Sequence, residues 1–140
     1  MKHYKKCHNA WINSIVTTSD SYNLFTSCFK GELKQISIEL KAVMFDYGKI
    51  HEGEIYSICV AKDDQYLFTS DSIGCIKQYD IINQILIRDY IGFHTNCIMK
   101  LVPNYKGTHI FTLDNKNIMK KFSLNRFVSE TDFWHPDNKF

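Results

Sequence analysis

A chain of 140 residues with 44% apolar and 14% aromatic side chains has the composition of a folded core, which excludes disorder as its resting state. Its formal net charge of +2, from 17 basic and 15 acidic residues, is too small to imply a nucleic-acid or membrane partner by itself. Five cysteines, odd in number and without a Cys-x-x-Cys pair, point to reduced thiols, with the cytoplasm or a large intracellular assembly as the expected setting; no apolar run is long enough to span a membrane and no signal segment is expected.

Residues 1–7 read as a polar leader, whose Lys2, Lys5 and Lys6, like Lys116, Lys120 and Lys121 further on, suit a solvated surface. From His8 the pattern alternates with period two, and turn residues recur about every ten positions, which predicts short strands. In the first unit the strands fall at 11–16, 23–27, 32–38 and 42–47, with turns at 19–21 and 30–31. In the second, opening at His51, they fall at 55–60, 66–70, 75–81 and 85–90, with turns at 62–64 and 72–74. The third, opening at His94, has strands at 98–102, 109–113, 118–124 and 126–133, with turns at 103–107 and 115–117. Trp134-His135-Pro136-Asp137 then stands where a further unit would begin.

The interval is constant at 43 residues: it separates His8, His51 and His94, and it separates Phe25-Thr26-Ser27, Phe68-Thr69-Ser70 and Phe111-Thr112-Leu113. A fixed period in the forties filled with short strands predicts β-propeller blades. The expected fold is all-β: about three four-stranded antiparallel sheets, repeats 8–50, 51–93 and 94–136, the start of another at 137–140, and hence an incomplete or open propeller. Four apolar positions per unit are expected to pack sheet on sheet: Ile12, Ile55 and Ile98; Ile15, Ile58 and Leu101; Leu24, Leu67 and Ile110; Phe25, Phe68 and Phe111.

The second unit resembles the Trp-Asp (WD) repeat family of β-propellers. His51 stands at the family's Gly-His histidine, Ile55-x-Ser57-Ile58 at its first-strand pattern and Asp63-Asp64 at its Asp-Gly turn. Gly74-x-Ile76-x-x-Tyr79-Asp80 stands at its terminal Gly-x-Ile-x-x-Trp-Asp. The departures are that Tyr79 replaces tryptophan, that the sister copies read Ile36-Ser37 and Phe122-Ser123, and that the glycine before the histidine is displaced to Gly48 and Gly92. The resemblance gives His8, His51, His94, Gly74, Tyr79 and Asp80 structural roles within the repeat. It also implies a buried network of histidine, strand Ser/Thr, turn aspartate and tryptophan. Lys30, Ile73 and Lys116 fall at the aligned turn-aspartate position, so the network is expected to be incomplete and apolar packing to hold the blades.

Little in the chain suggests chemistry. His3, Cys7 and His8 are the one close His/Cys group and fit no standard zinc spacing, so no metal is expected. Asp63, Asp64 and Asp71 suit turns. Without a nucleophile elbow or a Gly-rich phosphate loop, neither an enzyme nor a cofactor is expected. Tyr105-Lys106 and Lys121-Phe122 could stack single-stranded bases, but strand alternation explains them equally, and nucleic-acid binding is the lesser alternative. The resemblance implies a non-catalytic scaffold with protein partners, whose rim would carry Trp11, Asn13, Phe29, Glu54, Tyr56, Ser72, Met99 and Asn115. Trp11, Phe29 and Tyr56 are the expected anchors. The open arc would be completed by self-association or another propeller chain. The alternatives are a fragment of a longer propeller and a small structural subunit of a large assembly.

Overall fold

The computed structural model describes residues 3, 4, 6–61 and 63–124. Eleven strands form three separate antiparallel sheets, each a meander of hairpins in chain order. The first holds β1 (Ile12–Thr17), β2 (Asn23–Cys28), β3 (Glu32–Ser37) and β4 (Ala42–Lys49). The second holds β5 (Ile55–Ala61), β6 (Tyr66–Asp71), β7 (Ile76–Asp80) and β8 (Ile85–Tyr90). The third holds β9 (Ile98–Pro103), β10 (His109–Asp114) and β11 (Met119–Ser123). The strand expected at 126–133 and the unit expected to begin at 137–140 lie outside the described residues. No helix among these residues is long and apolar enough to cross a membrane.

Local chemistry explains the hairpins. In the β3–β4 turn the Ser37 hydroxyl accepts from the Leu40 N–H at 3.0 Å, and 43 residues later Asp80 accepts from the Asn83 N–H at 2.8 Å. The turns close through Lys41 and Gln84, both left-handed at φ 53° and 58°. Between β2 and β3, and between β6 and β7, Gly31 and Gly74 have φ of 78° and 89°, and a Cβ on either would strike the carbonyl oxygen of the next unit's histidine. Only glycine permits that approach.

The core lies between sheets. Phe25 and Leu33 of the first meet Ile55, Ile58, Leu67 and Tyr79 of the second. Cys59, Phe68 and Ile76 on the second sheet's other face meet Ile98, Leu101, Ile110 and Phe122 of the third. Each middle-blade side chain so buried contributes about 1.5–3 kcal/mol. The first strands adjoin, β1 against β5 and β5 against β9. There Ser14 accepts from the Ile58 N–H at 3.3 Å, and Ser57 from the Leu101 N–H at 3.0 Å. At the far edge Asp64 accepts from the Ser19 N–H at 2.9 Å and from its hydroxyl at 2.6 Å, so this turn aspartate also clamps two blades.

Three expected core residues are not buried. Ile12 is 48% exposed, Ile15 62% and Phe111 38%. Leu24 is half-buried. Their copies in the middle blade, Ile55, Ile58, Phe68 and Leu67, are buried. The residues are equivalent and their neighbours are not: no sheet among the described residues covers the outer face of the first blade or that of the third.

Candidate functional site

One edge of the arc is built from three equivalent rungs. The Phe29 N–H donates to the Trp11 carbonyl at 3.1 Å, the Ser72 N–H to the Glu54 carbonyl at 2.9 Å, and the Asn115 N–H to the Cys97 carbonyl at 2.9 Å. Beside each rung the first strand carries a β-bulge. Its extra residue is Asn13 between the paired Ile12 and Ser14, Tyr56 between Ile55 and Ser57, and Met99 between Ile98 and Lys100. A bulge re-aims the unpaired side chain, which explains why these three positions leave the regular face of their sheets.

The side chains on this edge are contiguous across the first two blades. The Trp11 and Phe29 rings meet edge-on at 6.2 Å, and Phe29 meets Tyr56 at 6.1 Å. Trp11 is 81% exposed. The Tyr56 hydroxyl donates to Glu54 at 3.1 Å, a bond that raises the phenol above its usual range. Ser72 lies beneath, its hydroxyl accepting from the Glu54 N–H at 3.1 Å. Cys97 continues the edge into the third blade, its sulfur 3.6 Å from that of Met99. Burial pushes its thiol up, with the charges of Asp71 and Glu54 adding to the effect. Met99 and Asn115 are exposed. Asn13, half-buried like Phe29, Tyr56 and Ser72, differs from them in that its amide donates to the Ile55 carbonyl, so it fastens blade to blade.

Cys97 was missed in the sequence, although it stands at the same 43-residue interval as Trp11 and Glu54. Lys30 was also missed as a rim residue. It lines two grooves here: one of about 680 Å³ with Glu32, Lys49 and Glu54, and one of about 520 Å³ with Asn9, Trp11 and Phe29.

Behind the rim lie the histidines, and here the expected network is corrected. His51 Nδ1 is 2.8 Å from Asp71 and Nε2 is 2.7 Å from the Thr69 hydroxyl. His94 repeats this with Asp114 at 3.1 Å and Thr112 at 2.7 Å. The aspartate therefore ends the second strand, two residues before the positions of Ile73 and Lys116. From there one carboxylate oxygen faces the histidine while the other accepts from the turn, at Ile73 and Cys75 or at Lys116 and Ile118. Burial disfavours the charge on Asp71 and Asp114, but these hydrogen bonds prevail and hold both carboxyls below the usual range. Asp71 is thus a network member as well as a turn residue. The interval between Asp71 and Asp114 was a visible signal for it.

Gly74 lies under the His94 loop and receives that residue's N–H at 3.1 Å. Tyr79, at the tryptophan position, packs edge-on against Tyr47 at 5.3 Å, and burial pushes its phenol up to about 12. His8 departs from its sister histidines. Its Nε2 is 2.9 Å from Thr26, but Cys28 occupies the position of Asp71 and Asp114, and Nδ1 makes no hydrogen bond.

The comparisons agree with this architecture. The solved structure titled "Crystal structure of RRP9 WD40 repeats" superimposes with a TM-score of 0.81 at 15% identity, covering 89% of this chain and 39% of that one. "Structure of U3-55K" gives 0.80 at 16% identity, covering 89% of this chain and 40% of that one. The chain spans about two-fifths of the length of these structures, and its fold is that of WD40 repeat blades. No protein-family model matches it, and no curated protein does. As 1066 solved chains match, the fold by itself selects no particular function or partner.

Proposed function

We propose that this chain is a non-catalytic protein-binding scaffold whose partner docks on the rim formed by Trp11, Phe29, Tyr56 and Glu54. The observation that carries this reading is the run of three aromatic rings in mutual contact, with an 81% exposed tryptophan at its tip. Large aromatics dominate binding hot spots, and these stand at bulged strand ends where a backbone hydrogen bond ties Trp11 to Phe29 and Glu54 to Ser72. With all five cysteines free, a reducing compartment such as the cytoplasm suits it. The test is partner capture by the chain, by Trp11→Ala and by Tyr105→Ala, which alters a fully exposed ring in the β9–β10 turn at the opposite edge. Loss of at least about tenfold with Trp11→Ala and none with Tyr105→Ala is expected; equal capture by all three overturns the rim.

The same reading extends to a second copy of the chain, on a separate observation. Ile12 and Ile15 lie exposed on the first blade, while Val102 and Met119 are exposed on the third, at 47% and 56%. Their equivalents, Ile55 and Ile58 on one side and Cys59 and Ile76 on the other, belong to the faces that blades use to pack together. Head-to-tail association would therefore repeat a contact already present within the chain. Light scattering over a concentration series should show an oligomer that Ile15→Asp dissociates; a monomer at all concentrations rules this reading out.

A further inference from the structure

We propose that the first blade holds a zinc-class divalent cation between His8 Nδ1, Cys28 Sγ and the Glu32 carboxylate. The three candidate ligand atoms lie within 4.8 Å of one another. Glu32 Oε2 is 3.5 Å from His8 Nδ1 and 3.5 Å from Cys28 Sγ. A tetrahedral ion with bonds of about 2.0–2.3 Å separates its ligands by about 3.3–3.8 Å. Two edges of such a site are already in place.

Comparison between the blades points to a ligand. In the second and third blades Nδ1 faces an aspartate; in the first that position holds Cys28, and Glu32 comes in from four residues further on. At 3.5 Å Glu32 is close enough for charge contact but makes no hydrogen bond to Nδ1, which remains without a partner although the side chain is 0% exposed. A buried ring nitrogen without a partner is costly. A metal resolves it: Nε2–H donates to the Thr26 hydroxyl at 2.9 Å, and Nδ1 turns its lone pair to the ion. That outer hydrogen bond is the usual support of a metal-bound imidazole.

Imidazole, thiolate and carboxylate together suit zinc, leaving a fourth position for water. On binding, the Sγ–H bond of Cys28 breaks, its proton passes to the buffer, and a metal–sulfur bond forms. The ion can enter beside Glu32, which is 32% exposed and lines the 680 Å³ groove. Since His8 stands three residues before Trp11, the ion would also tie down the chain that leads into the rim.

The reduced, chelator-treated chain should be titrated with Co²⁺ and then Zn²⁺. One equivalent of Co²⁺ should produce a thiolate-to-metal charge-transfer band, which Zn²⁺ should abolish, and Zn²⁺ should raise the melting temperature. Cys28→Asp installs the residue found in the other two blades, so it should fold without metal while losing the band and about 100-fold in zinc affinity. Cys28→Ser, which keeps the size of the side chain, should lose both as well. The double variant Cys7→Ser/Cys97→Ser should bind as the parent does. No band in the parent chain, or undiminished binding by Cys28→Asp, overturns the site.

Discussion

At His51 both ring nitrogens are engaged and the side chain is closed to solvent. With Nδ1–H given to Asp71, Nε2 is left to accept from Thr69. Thr69→Val keeps the shape of the side chain and strands that nitrogen, so a loss of about 1–3 kcal/mol is expected in urea denaturation. His94 adds a pH dependence. Burial lowers its pKa below the ordinary 6.5, overriding the opposite pull of Asp114. Between 6.5 and the folded value, the unfolded chain binds a proton that the folded chain refuses, so stability falls as pH drops through that window. Asp71 and Asp114, held below 3.8, contribute stability that is present above 3.8 and is lost as pH falls through their folded values. Melting temperatures should therefore decline from pH 7 to pH 5, and His94→Gln should flatten that first decline while leaving the second.

At the scale of the hairpin, the turn between the second and third strands also serves as the seat of the following blade. An alanine Cβ at Gly74 would strike the His94 carbonyl, whereas one at Gly48, with φ of 71°, would meet nothing within 4 Å. Gly48→Ala should cost about 1 kcal/mol, from the left-handed backbone alone. Gly74→Ala should cost about 3 kcal/mol or more, since backbone must also move. Chemical denaturation of the two variants separates strain from collision, and equal losses would show that the seat is not rigid. The bulges at Asn13, Tyr56 and Met99 belong to this scale too. An extra residue in a strand is a matter of register with its partner, which explains why period-two alternation did not reveal them.

Across the whole molecule, the outcome for an apolar residue depends on which blade it occupies. Ile15 and Ile58 are the same residue at the same point of the repeat, 62% and 6% exposed. Within a single chain Ile58→Ala should cost about 2–5 kcal/mol and Ile15→Ala under about 0.5 kcal/mol. If a second copy covers the first blade, the Ile15 loss will grow with protein concentration, because association contributes to its burial. Thermal melts of Ile15→Ala at two concentrations far apart read this directly.

Strand order, hairpin turns and the 43-residue period were legible in the sequence, because alternation and turn chemistry act over a few residues and a repeat displays them three times. The histidine and threonine of the network were legible for the same reason. Its aspartate was misplaced by two residues, since only the folded turn lets one carboxylate serve both the backbone and the histidine. Tertiary structure alone decided the rest. Burial of Ile12, Ile15 and Phe111 depends on a neighbouring sheet. The contacts of Trp11 with Phe29 and of Phe29 with Tyr56, and the meeting of His8, Cys28 and Glu32, join residues 18 to 27 positions apart or on separate strands, and no local pattern encodes such distances.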